Sequence, residues 1–313
     1  MAIGEYCPVI SIEELTMKRV PAQLAWLKLA VIPLTLGITA CSSSDDGSNE
    51  TACNNAEKAS ASYCVEYIAG GAMGEQVGKN TFTLHVNNKA DGSAATGLTL
   101  GLAPVMRMVS GMIHSTPDED CVESMSIAGD YVCTVYYVMA SEMGDVKMGD
   151  WELAVNIGSE SVSFEPMVMM AMGDTSVAQL KGVNDMISGM MADENRTYYL
   201  FKDGMASTDS FALFIAARES MMSFPPVYPD QAFNAATTYE LNVTGVGVEI
   251  SSDGGTTWLT ATDEGNGHWR VTDLGLTAGV TNTLQVRLTV NGEIKTTDGN
   301  ASGQDYQTFT VTP

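Results

Sequence analysis

The chain has 313 residues, 45% of them apolar, and carries 38 Asp and Glu against 15 Lys and Arg, a formal net charge of -23. That apolar content supplies real cores for one to three domains and excludes a disordered acidic tail. The deficit of basic residues excludes the positive patches that phosphate backbones require, so no nucleic-acid partner is expected.

In chain order, Met17, Lys18 and Arg19 precede an apolar stretch from Ala25 to Ala40. The stretch is too short and too interrupted for a permanent membrane span, and it reads as an export signal. It ends in Ile38-Thr39-Ala40-Cys41, which resembles the bacterial lipobox, where small residues before a Cys allow lipidation of its thiol and cleavage in front of it. Cys41 is therefore the expected lipidation site and first mature residue, and the polar run from Ser42 to Asn49 is the expected flexible tether. Ser42 stands where many lipoproteins kept at the inner membrane of Gram-negative bacteria have Asp. By that resemblance the protein is anchored at the outer membrane, on its periplasmic or cell-surface face. Residues 1–16, with Glu5, Cys7, Glu13 and Glu14, are unlike the start of a signal, whereas a start at Met17 gives an ordinary one. Residues 1–40 contain three basic and three acidic residues, so the exported chain keeps the whole negative charge.

Cys53, Cys64, Cys121 and Cys133 follow. An even number in an oxidising compartment implies two disulfides, and proximity favours Cys53–Cys64 and Cys121–Cys133 among the three possible connectivities. The alternating run Thr81–Asn87 reads as a strand closed by a turn ending at Gly92, and Leu98–Leu102, Tyr131–Met139 and Trp151–Ile157 add further strands. Arg196–Phe201 and Phe211–Ala217 look like a pair, while the Pro-rich Phe224–Pro229 reads as a linker. Short strands then recur at Tyr239–Val243, Gly247–Ser251, Trp258–Thr260, His268–Val271, Thr283–Val290 and Tyr306–Val311. Ser251, Asp253, Gly255 and Trp258 have the spacing of an Asp-box turn, in which the carboxylate caps backbone N–H groups. The expected architecture is all-β, with tandem immunoglobulin-like β-sandwich domains after the signal and tether. The expected divisions are a leader over 1–40, a lipidated tether over 41–52, a Met-rich sandwich over 53–165, a middle β-rich region and linker over 166–229, and a sandwich over 230–313.

Beyond the leader, every methionine falls between Met73 and Met222. A thioether is a soft, neutral donor suited to Cu(I), and imidazole completes a mixed sulfur and nitrogen set. The candidate ligands are Met106, Met108, Met112 and His114, with Met167 and Met169 as a second group; His85 is a weaker candidate. Packing and partner contacts are the other uses of such residues. Met106 and Met108 share one face of an extended segment, as do Met112 and His114.

The segments Asn87–Gly92, Ala103–His114, Gly129–Tyr131 and Met148–Val155 resemble the YtkA-like family of small exported bacterial β-sandwich domains, over about residues 80–165. That resemblance implies copper binding or delivery. It implies that Met106, Met108, Met112 and His114 match the family's Met- and His-bearing loop, and that Gly149 and Trp151 match a structural strand.

No His-Glu-x-x-His, Gly-x-Ser-x-Gly or phosphate-binding Gly-rich motif occurs, so no enzymatic activity is expected. The leading expectation is a lipid-anchored periplasmic copper protein that handles or delivers Cu(I), with a possible protein partner. The alternative is a structural or partner-binding surface lipoprotein whose methionines are packing or interface. Replacing Cys41 by Ala is expected to move the protein from the membrane to the soluble fraction of cells; undiminished membrane recovery would remove the anchor.

Overall fold

The computed structural model describes residues 53–204 and 206–313. The expected signal, Cys41 and the tether lie outside the described residues. The described residues fall in one compact unit. Its described residues form two β-sandwiches in tandem and no helix.

The first sandwich contains β1 (Glu57–Ala59), β2 (Tyr63–Ile68), β3 (Gly78–Asn88), β4 (Leu100–Met108), β5 (Ile113–Ser115), β6 (Asp118–Glu123), β7 (Asp130–Tyr137), β8 (Gly149–Ile157) and β9 (Glu160–Phe164). One sheet runs β1-β2-β3-β7-β6 and the other β9-β8-β4-β5. The two-residue period of a strand explains the core: Phe82, Leu84 and Val86 of β3 and Tyr131, Cys133, Val135 and Tyr137 of β7 meet Trp151, Leu153, Val155 and Ile157 of β8. The strand expected at Leu98–Leu102 is the beginning of a longer one, because β4 stays paired with β8 as far as Met108. At the end of that ladder a Cβ on Gly149 would lie 2.5 Å from the Arg107 carbonyl oxygen, so only glycine permits the close approach. Cys53–Cys64 and Cys121–Cys133 are both disulfides, and the second links the neighbouring strands β6 and β7.

The second sandwich contains β10 (Val177–Ile187), β11 (Glu194–Lys202), β12 (Phe211–Ala217), β13 (Val246–Ser251), β14 (Leu259–Thr260), β15 (Thr262–Gly265), β16 (His268–Val271), β17 (Asn282–Val290), β18 (Glu293–Ile294) and β19 (Gln307–Val311). Its sheets run β10-β11-β12-β16-β15 and β14-β13-β17-β18, with β19 also on β17. The chain therefore divides differently from the expectation of a middle region and a separate domain after residue 229. Strands β10 to β12 are three of the five in a sheet that β16 and β15 complete, because β12 needs a hydrogen-bonded partner on its far edge. Phe224–Pro229 is not a free linker either. The Ala217 N–H donates to the Pro225 carbonyl and the Val227 N–H to the Ile215 carbonyl, and Val227 is fully buried. The Asp-box expectation holds: the Asp253 carboxylate accepts from the Thr256 and Thr257 N–H groups at 3.0 and 2.9 Å.

Every residue of β12 is buried. Phe211, Leu213, Ile215 and Ala217 face the second core, while Phe214 and Ala216 point the other way, onto Tyr136 of β7. Tyr136 and Phe214 stack with ring centroids 4.1 Å apart. Beside this apolar joint, His268 of β16 bridges the two sandwiches, with Nδ1 2.8 Å from Asp203 and Nε2 2.6 Å from Glu119. Lys79 of β3 pairs with Asp203, and the Tyr136 hydroxyl donates to Glu119.

The hydrogen bonds to Asp203 and Glu119 raise the His268 pKa from 6.5 to about 9. A raised imidazole pKa contributes stability in full below the ordinary value and loses it as pH rises through about 9. The stability of the 48–313 unit is accordingly expected to fall by about 2–3 kcal/mol between pH 7 and pH 10 through this one group. In thermal melts across that range, His268→Gln should flatten the decline; an identical slope in the variant would remove the bridge from the account.

Candidate metal centre

β4 and β5 are joined by a tight turn in which the Met108 N–H donates to the Met112 carbonyl and the Gly111 N–H to the Met108 carbonyl, both at 2.9 Å. Gly111 has φ +85°, a left-handed conformation that glycine adopts without cost, and the turn folds Met112 back toward Met108. On β5, His114 lies opposite Met106 and so projects from the same face, toward Trp151. The two rings meet edge to face at 5.3 Å.

The His114 residue is 4% exposed. Its Nδ1 is 2.9 Å from the Ser115 carbonyl oxygen, and a carbonyl only accepts, so Nδ1 carries the proton and Nε2 presents a lone pair. That Nε2 has no hydrogen-bond partner. Burial lowers the pKa of His114, and the bond to Ser115 opposes this only in part. The ring is therefore neutral at neutral pH, the form that binds a metal.

His114, Met108, Met112 and Met139 line a cavity of about 210 Å³, which Met221 and Arg218 of the second sandwich help to close. Backbone bonds fix these parts. The Ser115 N–H donates to the Met221 carbonyl at 2.8 Å, and the Trp151 indole N–H donates to the Met139 carbonyl at 3.0 Å. Arg218 brings a charge to the cavity wall, but its guanidinium is paired with Glu194 at 2.7 Å. Arg107, which interrupts the Met106 and Met108 pair in sequence, alternates to the outer face and pairs with Glu152 at 3.1 Å.

Of the residues expected at this site, Met108, Met112 and His114 come together. Met106 does not join them: it is 0% exposed, one strand repeat deeper than Met108, opposite Trp151 in the core. Met167 and Met169 lie on a different cleft, shared with Met73. His85 is held by the Asp130 carboxylate, 2.6 Å from its Nδ1. Met139 and Met221 also line the cavity; in the sequence Met139 ranks below His85 as a ligand and Met221 reads as packing. Met221 sits in a Met-Met pair more than a hundred residues from His114, and no local pattern marks it. The one cluster of His, Cys, Asp or Glu side chains with metal-site spacing among the described residues is Cys53, Glu57 and Cys64. Both of its sulfurs are consumed in a disulfide, which leaves a single carboxylate.

No protein-family model and no curated protein matches the chain. Among solved structures, the titin domains Z1Z2 in complex with telethonin match with 12% identity over 75% of this chain and 87% of that one, at a TM-score of 0.18. A chimeric titin Z1Z2 carrying an exogenous peptide from decorin matches with 10% identity over 78% of this chain and 94% of that one, at a TM-score of 0.16. Likeness this slight carries no weight for function, and the fold rests on the sheets themselves.

The buried imidazole is expected to titrate with a midpoint below 6.5 and to carry its proton on Nδ1, both visible in long-range nitrogen–proton NMR spectra of His114. A midpoint at or above 6.5, or an Nε2-protonated ring, would remove the lone pair from the cavity.

Proposed function

We propose that this is an exported, lipid-anchored protein that binds Cu(I) and handles or delivers it, without catalysing bond-making chemistry. One observation carries the reading: His114, whose Nε2 is buried without a hydrogen-bond partner, lines a small cavity together with thioethers. Leaving such an atom unpaired costs about 1–3 kcal/mol, so a ligand that accepts its lone pair offsets a real penalty. Thioether and neutral imidazole donors suit a soft monovalent cation and disfavour hard divalent ones. In this reading His114 Nε2 and the sulfurs of Met108, Met112 and Met139 hold the ion, while the Met221 sulfur accepts from the Arg218 guanidinium and closes the wall. Ser115 and Trp151 orient the donors, and the net negative charge of the chain raises the local concentration of cations. Release is by exchange of one thioether at a time for a donor on the receiving partner. The match of Met108, Met112 and His114 to the YtkA-like loop agrees with this use.

A second reading, a partner-binding surface protein, is favoured by one other feature. Val122, Met125, Ile127 and Val132 expose apolar side chains along the hairpin that joins β6 and β7.

Titration of residues 48–313 with Cu(I), competed against a chromophoric chelator, separates the two. Met108→Leu, Met112→Leu and His114→Gln are each expected to weaken binding at least about tenfold, in line with metal sites that lose an orienting or ligating group. An ion that none of the three weakens would sink the His114 centre, and no retained ion at all would favour the surface reading.

A further inference from the structure

A second cluster of thioethers lies on the first sandwich, away from the His114 cavity. Val168 is buried in the core, so the two-residue period of an extended chain turns its neighbours Met167 and Met169 outward. Val168 and Met169 pair in parallel with Glu75 and Gln76, and the Val77 N–H donates to the Met169 carbonyl at 2.9 Å. This ladder holds Met73, just before Glu75, in the same wall. The result is an apolar cleft of about 280 Å³ lined by Tyr67, Met73, Glu75, Met167 and Met169.

Glu75 is the unusual member. The residue is 4% exposed, and the hydroxyl of Tyr67 donates to its Oε1. No Lys, Arg or His pairs with Glu75 among the described residues, although a buried carboxylate ordinarily has such a partner. Its pKa is raised, chiefly because burial penalises the charge, with the Tyr67 hydrogen bond opposing. The three methionines are 50%, 59% and 37% exposed, so none is needed to fill the core.

We infer that Met73, Met167 and Met169, with the carboxylate of Glu75 at the wall, form a second site for a soft monovalent cation such as Cu(I) or Ag(I). Three neutral sulfurs provide soft donors, and the carboxylate supplies the single negative charge that makes the loaded site electrically neutral. Binding the cation also gives Glu75 the positive partner that the protein itself omits. Unlike the His114 cavity, this cleft is built from the first sandwich alone, and its sulfurs are open to solvent. That exposure suits it to exchange ions with the surroundings. The inference deepens the copper reading without depending on the His114 centre, because the two sites share no residue.

The test is the number of Cu(I) ions retained by residues 48–313 against a chromophoric chelator, repeated with Ag(I). The wild type should retain two. A Met73→Leu, Met167→Leu, Met169→Leu triple variant should retain one, and circular dichroism should show the wild-type fold, since these replacements conserve volume at exposed positions. His114→Gln should keep the ion at the cleft, and Glu75→Gln should weaken that ion by about 10–100-fold. A wild type that retains only one ion, lost in His114→Gln, would overturn the second site and leave the proposed function standing. One ion lost only in the triple variant would support the second site and sink the His114 centre. Two ions in the triple variant would overturn the inference outright.

Discussion

The molecule depends on burial of the outer face of one strand. Most sheets in a sandwich keep one face wet, but Phe211–Ala217 is apolar on both, and its second face is covered by Tyr136 of the first sandwich, which stacks on Phe214, together with Phe201 and Phe224. Burying an aromatic side chain of this size contributes about 1.5–3 kcal/mol. Without the first sandwich in place, Phe214 would lose its stacking partner. The same contact holds His268 between Asp203 and Glu119, so an apolar stack fixes position while a three-residue ionic bridge fixes orientation. The two sandwiches are therefore joined parts of a single body, and the segment between them is part of a sheet.

The His114 cavity is a consequence of that joint. The first sandwich supplies the imidazole and three sulfurs, but the cavity is closed by residues that follow β12, held through the bond between Ser115 and Met221. In the docked pair His114 Nε2 is buried and has no hydrogen-bond partner. Under the proposed function, a soft cation takes up that lone pair. The cleft beside Glu75 follows the same logic by another route, since there the unsatisfied quantity is charge.

The two disulfides act on the first sandwich alone. Cys53–Cys64 ties the first described residue to β2, and Cys121–Cys133 joins adjacent strands next to the Glu119 end of the interface. The acidity has no single locus. Much of it sits at exposed turns and strand ends, where carboxylates accept local backbone hydrogen bonds, as at Asp91, Asp253 and Asp298.

By itself the sequence determined the strand-rich class, the positions of most strands and the Asp253 turn, and it favoured both cysteine pairings. Each of these is local: alternation, spacing and turn chemistry act over a few residues. It also brought Met108, Met112 and His114 together, because one short turn joins them. Only the tertiary structure decided that Met106 is core, that Met139 and Met221 complete the cavity, and that residues 177–217 belong with the C-terminal strands. The reason is that a two-residue period says which side chains share a face, not how deep each lies or what covers it. Met106 and Met108 have identical local patterns and different fates because the strand leaves the core between them. Glu75 and Met73 were invisible for the same reason, since the parallel contact with Val168 and Met169 spans about ninety residues and has no signature in either segment.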